Sequence, residues 1–246
     1  MKTLLSQNGF LSSLSVKLRE TLDPLLEVSE LHKGVPFGSS GLREDFIYFP
    51  LNCLCSMDIR MSDGFYAHLA LLGYRDATGL HTLAAPPFVA TTRVLASGYA
   101  LRIPITEFVE ELKISNELIT AVQEAMSRLT GTLGHATACN LHHPLQKRLA
   151  RWLLSAADAS AQKSFELTHE ELACLLGVRR EAVTESLARL SQAGAIQTTR
   201  GKISLCDPQI LREAACECIE ATLAAVPQAG RVASPNMRQS SRTATA

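Results

Sequence analysis

A run of polar side chains near residue 180, comprising Arg179, Arg180, Glu181, Thr184 and Glu185, has the types and spacing to read a nucleic acid. On a helix the last four recur at steps of one, three and one, which keeps them on one face. A guanidinium donates two parallel hydrogen bonds to G O6 and N7, a carboxylate accepts from the C amino group, and a Thr methyl packs on the thymine methyl. These are the contacts that a major groove offers. The plain alternative is the solvated face of any amphipathic helix, and the flanking residues decide between the two.

Those residues must be held by a short helix pair. Thr168 followed at three residues by Glu171 is a capping box and starts a first helix. Leu172, Leu175 and Leu176 give its buried face, and Gly177 supplies the left-handed backbone that stops it. After Val178 a second helix begins, with Val183, Leu187 and Leu190 inward and the polar run outward. Helices joined by so short a turn cross steeply, and Ala173 is small enough to sit at the crossing. This is the helix-turn-helix pattern. Ala193-Gly194 ends the second helix, and Ile196, Thr198, Ile203 and Leu205 alternate around Arg200-Gly201, which is a hairpin signal. The unit reads as a winged helix with Arg200 and Lys202 at the wing tip, where a phosphate would lie. The candidate DNA-binding set is therefore Thr168, Arg179, Arg180, Glu181, Thr184, Glu185, Arg200 and Lys202.

The bulk composition neither demands nor forbids that reading. The chain of 246 residues has no formal net charge, so a basic whole-protein argument fails. Residues 141–205 carry 9 Lys and Arg against 6 Asp and Glu, whereas residues 1–140 carry 11 against 14, so the segment that contains the helix pair is the one with a basic surplus. No run of apolar residues is long enough to span a membrane or to form a signal-peptide core, which points to a cytoplasmic protein. The 7 Cys lack a Cys-x-x-Cys spacing, so neither a disulfide framework nor a zinc ribbon is indicated.

Along the chain, residues 10–22 read as one short amphipathic helix ended by Asp23-Pro24. Strands are expected at Phe46–Leu51, Cys53–Arg60, Tyr66–Leu72, Phe88–Ala96 and Tyr99–Ile103, with a hairpin turn at Ser62-Asp63-Gly64. Short strands at this spacing predict a β-roll or barrel. Pro104 opens a helix, and a longer one starts near Ser115. Its stripe Leu118, Val122, Ala125, Leu129, Leu133, Ala136 predicts a two-helix dimer seam or, alternatively, packing on its own domain, while Glu124 and Arg128 form an (i, i+4) pair outside the stripe. After Pro144 a further helix turns Leu145, Leu149, Trp152 and Leu153 inward and Lys147, Arg148 and Arg151 outward. A helix over 208–224 closes the unit, and the Pro-, Ser- and Thr-rich residues from Val226 read as a disordered tail.

The whole layout over about residues 20–225 resembles the Crp/Fnr superfamily of bacterial transcription regulators, most specifically in Leu167-Thr-His-Glu-Glu-Leu-Ala and Gly177-Val-Arg-Arg-Glu-Ala-Val-Thr. Ala138-Cys-Asn-Leu-His142 and Arg148-Leu-Ala-Arg-Trp-Leu-Leu154 are similar to a subgroup that keeps the roll without its nucleotide site. The resemblance implies an α+β chain with an N-terminal cyclic-nucleotide-binding-like β-roll (1–114), a long dimerisation helix and hinge (115–140), a C-terminal winged helix-turn-helix (141–225) and a tail (226–246). It implies a non-enzymatic homodimer that binds a double-stranded DNA operator and RNA polymerase, without membrane and without cofactor. Cyclic-nucleotide binders of the family carry Gly-Glu and, about ten residues later, Arg-Ser or Arg-Thr. Here Leu80 takes the acidic place and Val89-Ala90 the later one, and Arg93 is expected to face solvent, so cyclic AMP is not the expected effector.

Other constellations are weaker. His135, Cys139 and His142 or His143 recur along one helical side and could be metal ligands, but hinge packing is the simpler reading and no metal is expected. Cys53-x-Cys55 and Cys216-x-Cys218 each place one thiol per face, Asp58, Asp63 and Asp76 make no carboxylate pair, and an N-terminal iron–sulfur cysteine cluster is absent. The competing class, a metal-dependent enzyme on a cupin-like roll, needs paired His, whereas His68 and His81 stand alone.

Overall fold

The computed structural model describes residues 2–37, 45–62, 64–83 and 90–220. The tail at 226–246, the start of the strand expected from Phe88, and Asp63 of the predicted turn lie outside the described residues. The chain opens with α1 (Lys2–Leu5), α2 (Gly9–Ser13) and α3 (Val16–Leu22), followed by a 3-10 turn at Asp23–Leu25. The helix expected over 10–22 is thus two. Leu14 is extended, and Ser15 caps α3 by accepting from Leu18 N at 3.3 Å. Buried Asn8 caps α2 and donates to Pro50 O and Asp76 O, both at 2.9 Å, which ties the helices to the roll.

The roll is built from β1 (Glu27–Leu31), β2 (Pro36–Phe37), β3 (Phe46–Pro50), β4 (Leu54–Arg60), β5 (Tyr66–Leu72), β6 (Thr91–Ala96) and β7 (Gly98–Pro104). These form two antiparallel sheets, ordered β1-β7-β3 and β2-β6-β4-β5. Neither β1 nor β2 was foreseen. Most of β1 is exposed, Val28 included, so no alternation marks it, and its pairing with β7 is what makes it a strand. Between the sheets and the helices, Phe10, Phe49 and Phe108 stack in series with ring centroids 5.6 and 6.3 Å apart.

Next come α4 (Ile105–Ile114) and α5 (Asn116–His142), the latter capped by Ser115, whose Oγ accepts from Leu118 N at 3.1 Å. The apolar stripe of α5 is taken by the chain's own roll. Leu118, Val122 and Ala125 pack on the Phe49–Phe108 core, and Leu129 and Leu133 pack beside Cys55, Met57 and Leu72. Arg128 also turns inward, lining a cavity with Asp76, Leu80 and His81 rather than pairing with Glu124.

The C-terminal part comprises α6 (Leu145–Ser160), β8 (Ser164–Phe165), α7 (His169–Leu176), α8 (Arg180–Gln192), β9 (Ile196–Thr199), β10 (Lys202–Leu205) and α9 (Pro208–Ala214). The strands β8, β10 and β9 form one antiparallel sheet, and Gly201 makes the β9–β10 turn at φ +71°. As expected, Leu149, Trp152 and Leu153 of α6 are buried. Arg148 is buried too, contrary to the outward position expected, because its guanidinium donates to Leu176 O at the end of α7. The helix expected over 208–224 stops at Ala214, where Ala215 is extended (φ −80°, ψ 166°), and helical backbone resumes only at 218–220.

This C-terminal part is docked on the roll. Leu54, Leu95 and Ala96 of the roll share one core with Trp152, Leu172 and Leu176. Tyr74 N donates to Ala159 O at 2.9 Å and Gln162 Nε2 to Asn52 O at 2.8 Å, while Arg75 pairs with Asp158 at 2.6 Å and Lys33 with Glu171 at 2.8 Å.

Candidate nucleic-acid interface

The capping box forms as the sequence implies: Thr168 Oγ1 accepts from Glu171 N at 3.1 Å, and Glu171 Oε2 accepts from Thr168 N at 2.7 Å. Gly177 closes α7 at φ +64°, Val178 N returns a bond to Ala173 O at 3.0 Å, and Ala173 is buried at the crossing. Val183, Leu187 and Leu190 anchor α8 from beneath. The N-terminal end of α8 is thereby pushed outward.

Arg179, Arg180, Glu181, Thr184 and Glu185 are all exposed at that end, and Thr168 is exposed at the start of α7. Arg200 and Lys202 flank Gly201 at the wing, also exposed. Among the described residues, Arg179, Arg180, Glu181, Arg200 and Lys202 have no polar side-chain partner, so their hydrogen-bonding capacity is free for a ligand. Arg179 occupies the cap position of α8 without capping it, so its guanidinium stands at a helix N-terminus, where anions are favoured.

Two members of the face are already engaged, by residues that the sequence reading passed over. Glu185 pairs with Arg189 at 2.6 Å, the (i, i+4) spacing that could have announced it. Thr184 Oγ1 donates to Arg180 O at 3.1 Å and bonds His169 Nδ1 at 2.8 Å, so His169 on α7 orients a side chain of α8.

In the roll, Leu80 is buried in the apolar core, and residues 84–89 of the nucleotide-site comparison lie outside the described residues. Arg93 does not face solvent as expected. Its Nε donates to Asp58 Oδ2 at 2.6 Å and its guanidinium lies 4.6 Å from the Tyr66 ring centroid. The cause is Asp58, fully buried and also bonded by Ser56 Oγ at 2.8 Å and His68 Nδ1 at 3.2 Å. Burial alone would raise its pKa, but the bonds from His68 and Arg93 more than offset this and hold the carboxyl below its ordinary value. Buried His81 has its pKa lowered by desolvation.

At the far end of α5, Cys139 and His143 meet Cys216 and Cys218, with the Sγ and imidazole nitrogen atoms of the four all within 4.8 Å of one another. Cys139 Sγ lies 3.5 Å from Cys216 Sγ, and Cys218 Sγ lies 3.6 Å from His143 Nδ1. Burial, with Cys139 alongside, pushes the Cys216 thiol up to about 12. His135 and His142 are exposed and stay outside the group. Both thiols of Cys216-x-Cys218 reach the same place because the break at Ala215 removes them from the helical spacing assumed for them.

Residues 147–214 match the model of the Crp-like helix-turn-helix domain. No curated protein matches the chain. Among solved structures, it is similar to a chain from Eubacterium rectale described as a regulator of the Crp/Fnr family (19% identity, 85% of this chain and 98% of that one, TM-score 0.66). It is also similar to a Crp-family transcriptional regulator from Thermus thermophilus (21%, 76% and 96%, TM-score 0.61). A third is CLP of Xanthomonas campestris, a global regulator responsive to cyclic di-GMP (14%, 78% and 100%, TM-score 0.62). No helix among the described residues is long and apolar enough to cross a membrane. The chain thus carries a Crp-like helix-turn-helix domain over residues 147–214 and shares the fold of solved structures described as Crp/Fnr-family regulators.

Proposed function

We propose that the protein is a cytoplasmic, homodimeric regulator that reads a palindromic DNA operator through α8, holds the backbone through Arg179, Arg200 and Lys202, and acts on RNA polymerase. The observation that carries this reading is the exposed N-terminal end of α8, where Arg180 and Glu181 have no partner among the described residues. Arg180 pairs with G, Glu181 accepts from the C amino group, and Thr184 offers a methyl. Glu185 puts an acceptor at the inner position, where the best-known members of the family carry a donor. The division of labour follows the proposed domains: roll 1–114, helix and hinge 115–140, DNA-binding unit 141–225, tail 226–246. Two-fold symmetry sets the half-site centres about 34 Å apart. Selection from random DNA with the purified chain is expected to return a palindrome of that spacing; enrichment of no sequence would overturn the reading.

The dimer forms on the outward face of α5, since its apolar stripe is occupied by the roll. That face runs through Ile119, Gln123, Ser127, Thr130, Gly131, Gly134, Ala138 and Leu141, all exposed, and its small residues allow a second helix to approach closely. The effector is not cyclic AMP. Leu80 stands in the acidic place, and Arg93 is already committed to Asp58. A cyclic phosphate without a guanidinium forgoes charged hydrogen bonds of about 1.5–3 kcal/mol each. Calorimetry is expected to detect no micromolar binding of cyclic AMP. An enzyme on the roll is disfavoured because His68 is bonded to Asp58 and neither His68 nor His81 joins a ligand group among the described residues.

A further inference from the structure

We propose that Cys139, His143, Cys216 and Cys218 bind one zinc ion per chain in a closed tetrahedral site that fastens the end of α5 to the segment after α9. Three sulfurs and one imidazole nitrogen are a zinc donor set, and it leaves no open coordination position for a substrate. Zinc–sulfur bonds of about 2.3 Å set sulfurs about 3.8 Å apart around the ion. Cys139 Sγ and Cys216 Sγ already stand 3.5 Å apart, Cys218 Sγ and His143 Nδ1 3.6 Å, and the whole set fits within 4.8 Å. Closing the site therefore needs the four ligand atoms only to draw in slightly around one centre.

The surroundings point to a ligand independently. His143 Nε2 lies 3.2 Å from Glu217 Oε1. A hydrogen bond from Nε2 to that carboxylate would leave Nδ1 directed at the thiols, the arrangement by which a ligating histidine is oriented. Cys139 and Cys216 are buried, so they are neutral thiols unless a cation is bound beside them, and a metal ion is what would hold them as thiolates. Binding would release a proton from each of the three thiols to solvent and leave a complex of net charge −1. Arg148, buried close enough to Cys139 and Cys216 to feel their charge, offsets that charge. The local sequence serves the purpose: Cys139 lies in the last turn of α5 and His143, four residues on, is the cap that ends it, while the break at Ala215 brings both Cys216 and Cys218 to them. Because Arg148 also donates to Leu176 O, the ion would sit one side chain from the end of α7.

The test is elemental analysis of the full chain purified under reducing conditions, with about one zinc per chain expected. Replacement by Co(II) should give the visible bands of a tetrahedral ion together with thiolate charge transfer in the near ultraviolet. Cys216→Ser and Cys139→Ser should lose the metal, whereas Cys206→Ser, at an exposed cysteine outside the group, should keep it. Should the first two variants fail to fold, the native chain still decides: three of its 7 thiols should react with a thiol reagent only after chelation. Absence of stoichiometric zinc with no uptake of Zn(II) or Co(II) overturns the proposal. So does iron with inorganic sulfide, or a Cys139–Cys216 disulfide recovered from freshly lysed cells.

Discussion

Arg180 and the pair Arg200 and Lys202 carry the same charge but, in the proposed complex, would face different parts of a duplex, so their removal should have separable effects. Arg180→Ala is expected to weaken binding by about 1–3 kcal/mol per half-site and to relax preference at one base pair. Arg200→Ala or Lys202→Ala should instead weaken all sequences alike and reduce the slope of affinity against salt. Binding titrations on the selected operator and on single-base variants distinguish the two patterns, and an unchanged motif for Arg180→Ala would remove α8 from the groove. The exposed position of these residues was legible in the sequence: a capping box, a glycine stop and a heptad-like apolar face fix which side of α8 looks outward, and the hairpin signal sets Arg200 and Lys202 at a turn. Arg93 and Arg148 were misread for the opposite reason. Each is turned inward by a group distant in sequence, Asp58 in one case and Leu176 O in the other, and no local spacing announces such a partner.

Elements add their own tests. Thr168→Ala removes the hydroxyl that accepts from Glu171 N, and should lower stability by about 0.5–2 kcal/mol in denaturant titration. Burial raises the pKa of Glu171, but bonds from Lys33 and Thr168 prevail and leave it below its ordinary value. A carboxyl lowered in the folded state stabilises above its unfolded pKa and loses that contribution as pH falls through the folded one. Thermal melts of Glu171→Gln should therefore lose less stability than the native chain on acidification below about pH 4.3. On α5, Ser127→Glu would place like charges across the proposed two-fold axis and should give a folded monomer by sedimentation. Leu129→Asp, which puts the charge against the roll, should unfold the chain instead. The α5 stripe itself was legible, and its owner was not, because periodicity shows that a face is buried but not by which neighbour. Similarly, β1 is made by its partner β7, and the break at Ala215, which brings the cysteines together, has neither Gly nor Pro to mark it.

At the scale of the molecule, the roll and the DNA-binding unit meet at backbone distance. A methyl on Gly73 would lie 2.0 Å from Ala159 O and 2.6 Å from its carbonyl carbon, so Gly73→Ala must pry the two apart. The single tryptophan, Trp152, is buried in the core they share and reports on the joint. Its emission should shift to the red in Gly73→Ala while the helix and strand content of the circular dichroism stays unchanged; an unaltered spectrum would show that the joint tolerates the methyl. Glu171 has a further consequence for this joint. Its two oxygens divide their work: Oε2 serves the Thr168 cap inside the DNA-binding unit, and Oε1 meets Lys33 of the roll. Letting go of Lys33 thus leaves the start of α7 intact. The half-exposed ion pair behaves as a latch, cheap to open and easily screened by salt, while the helix it fastens keeps its shape in either position.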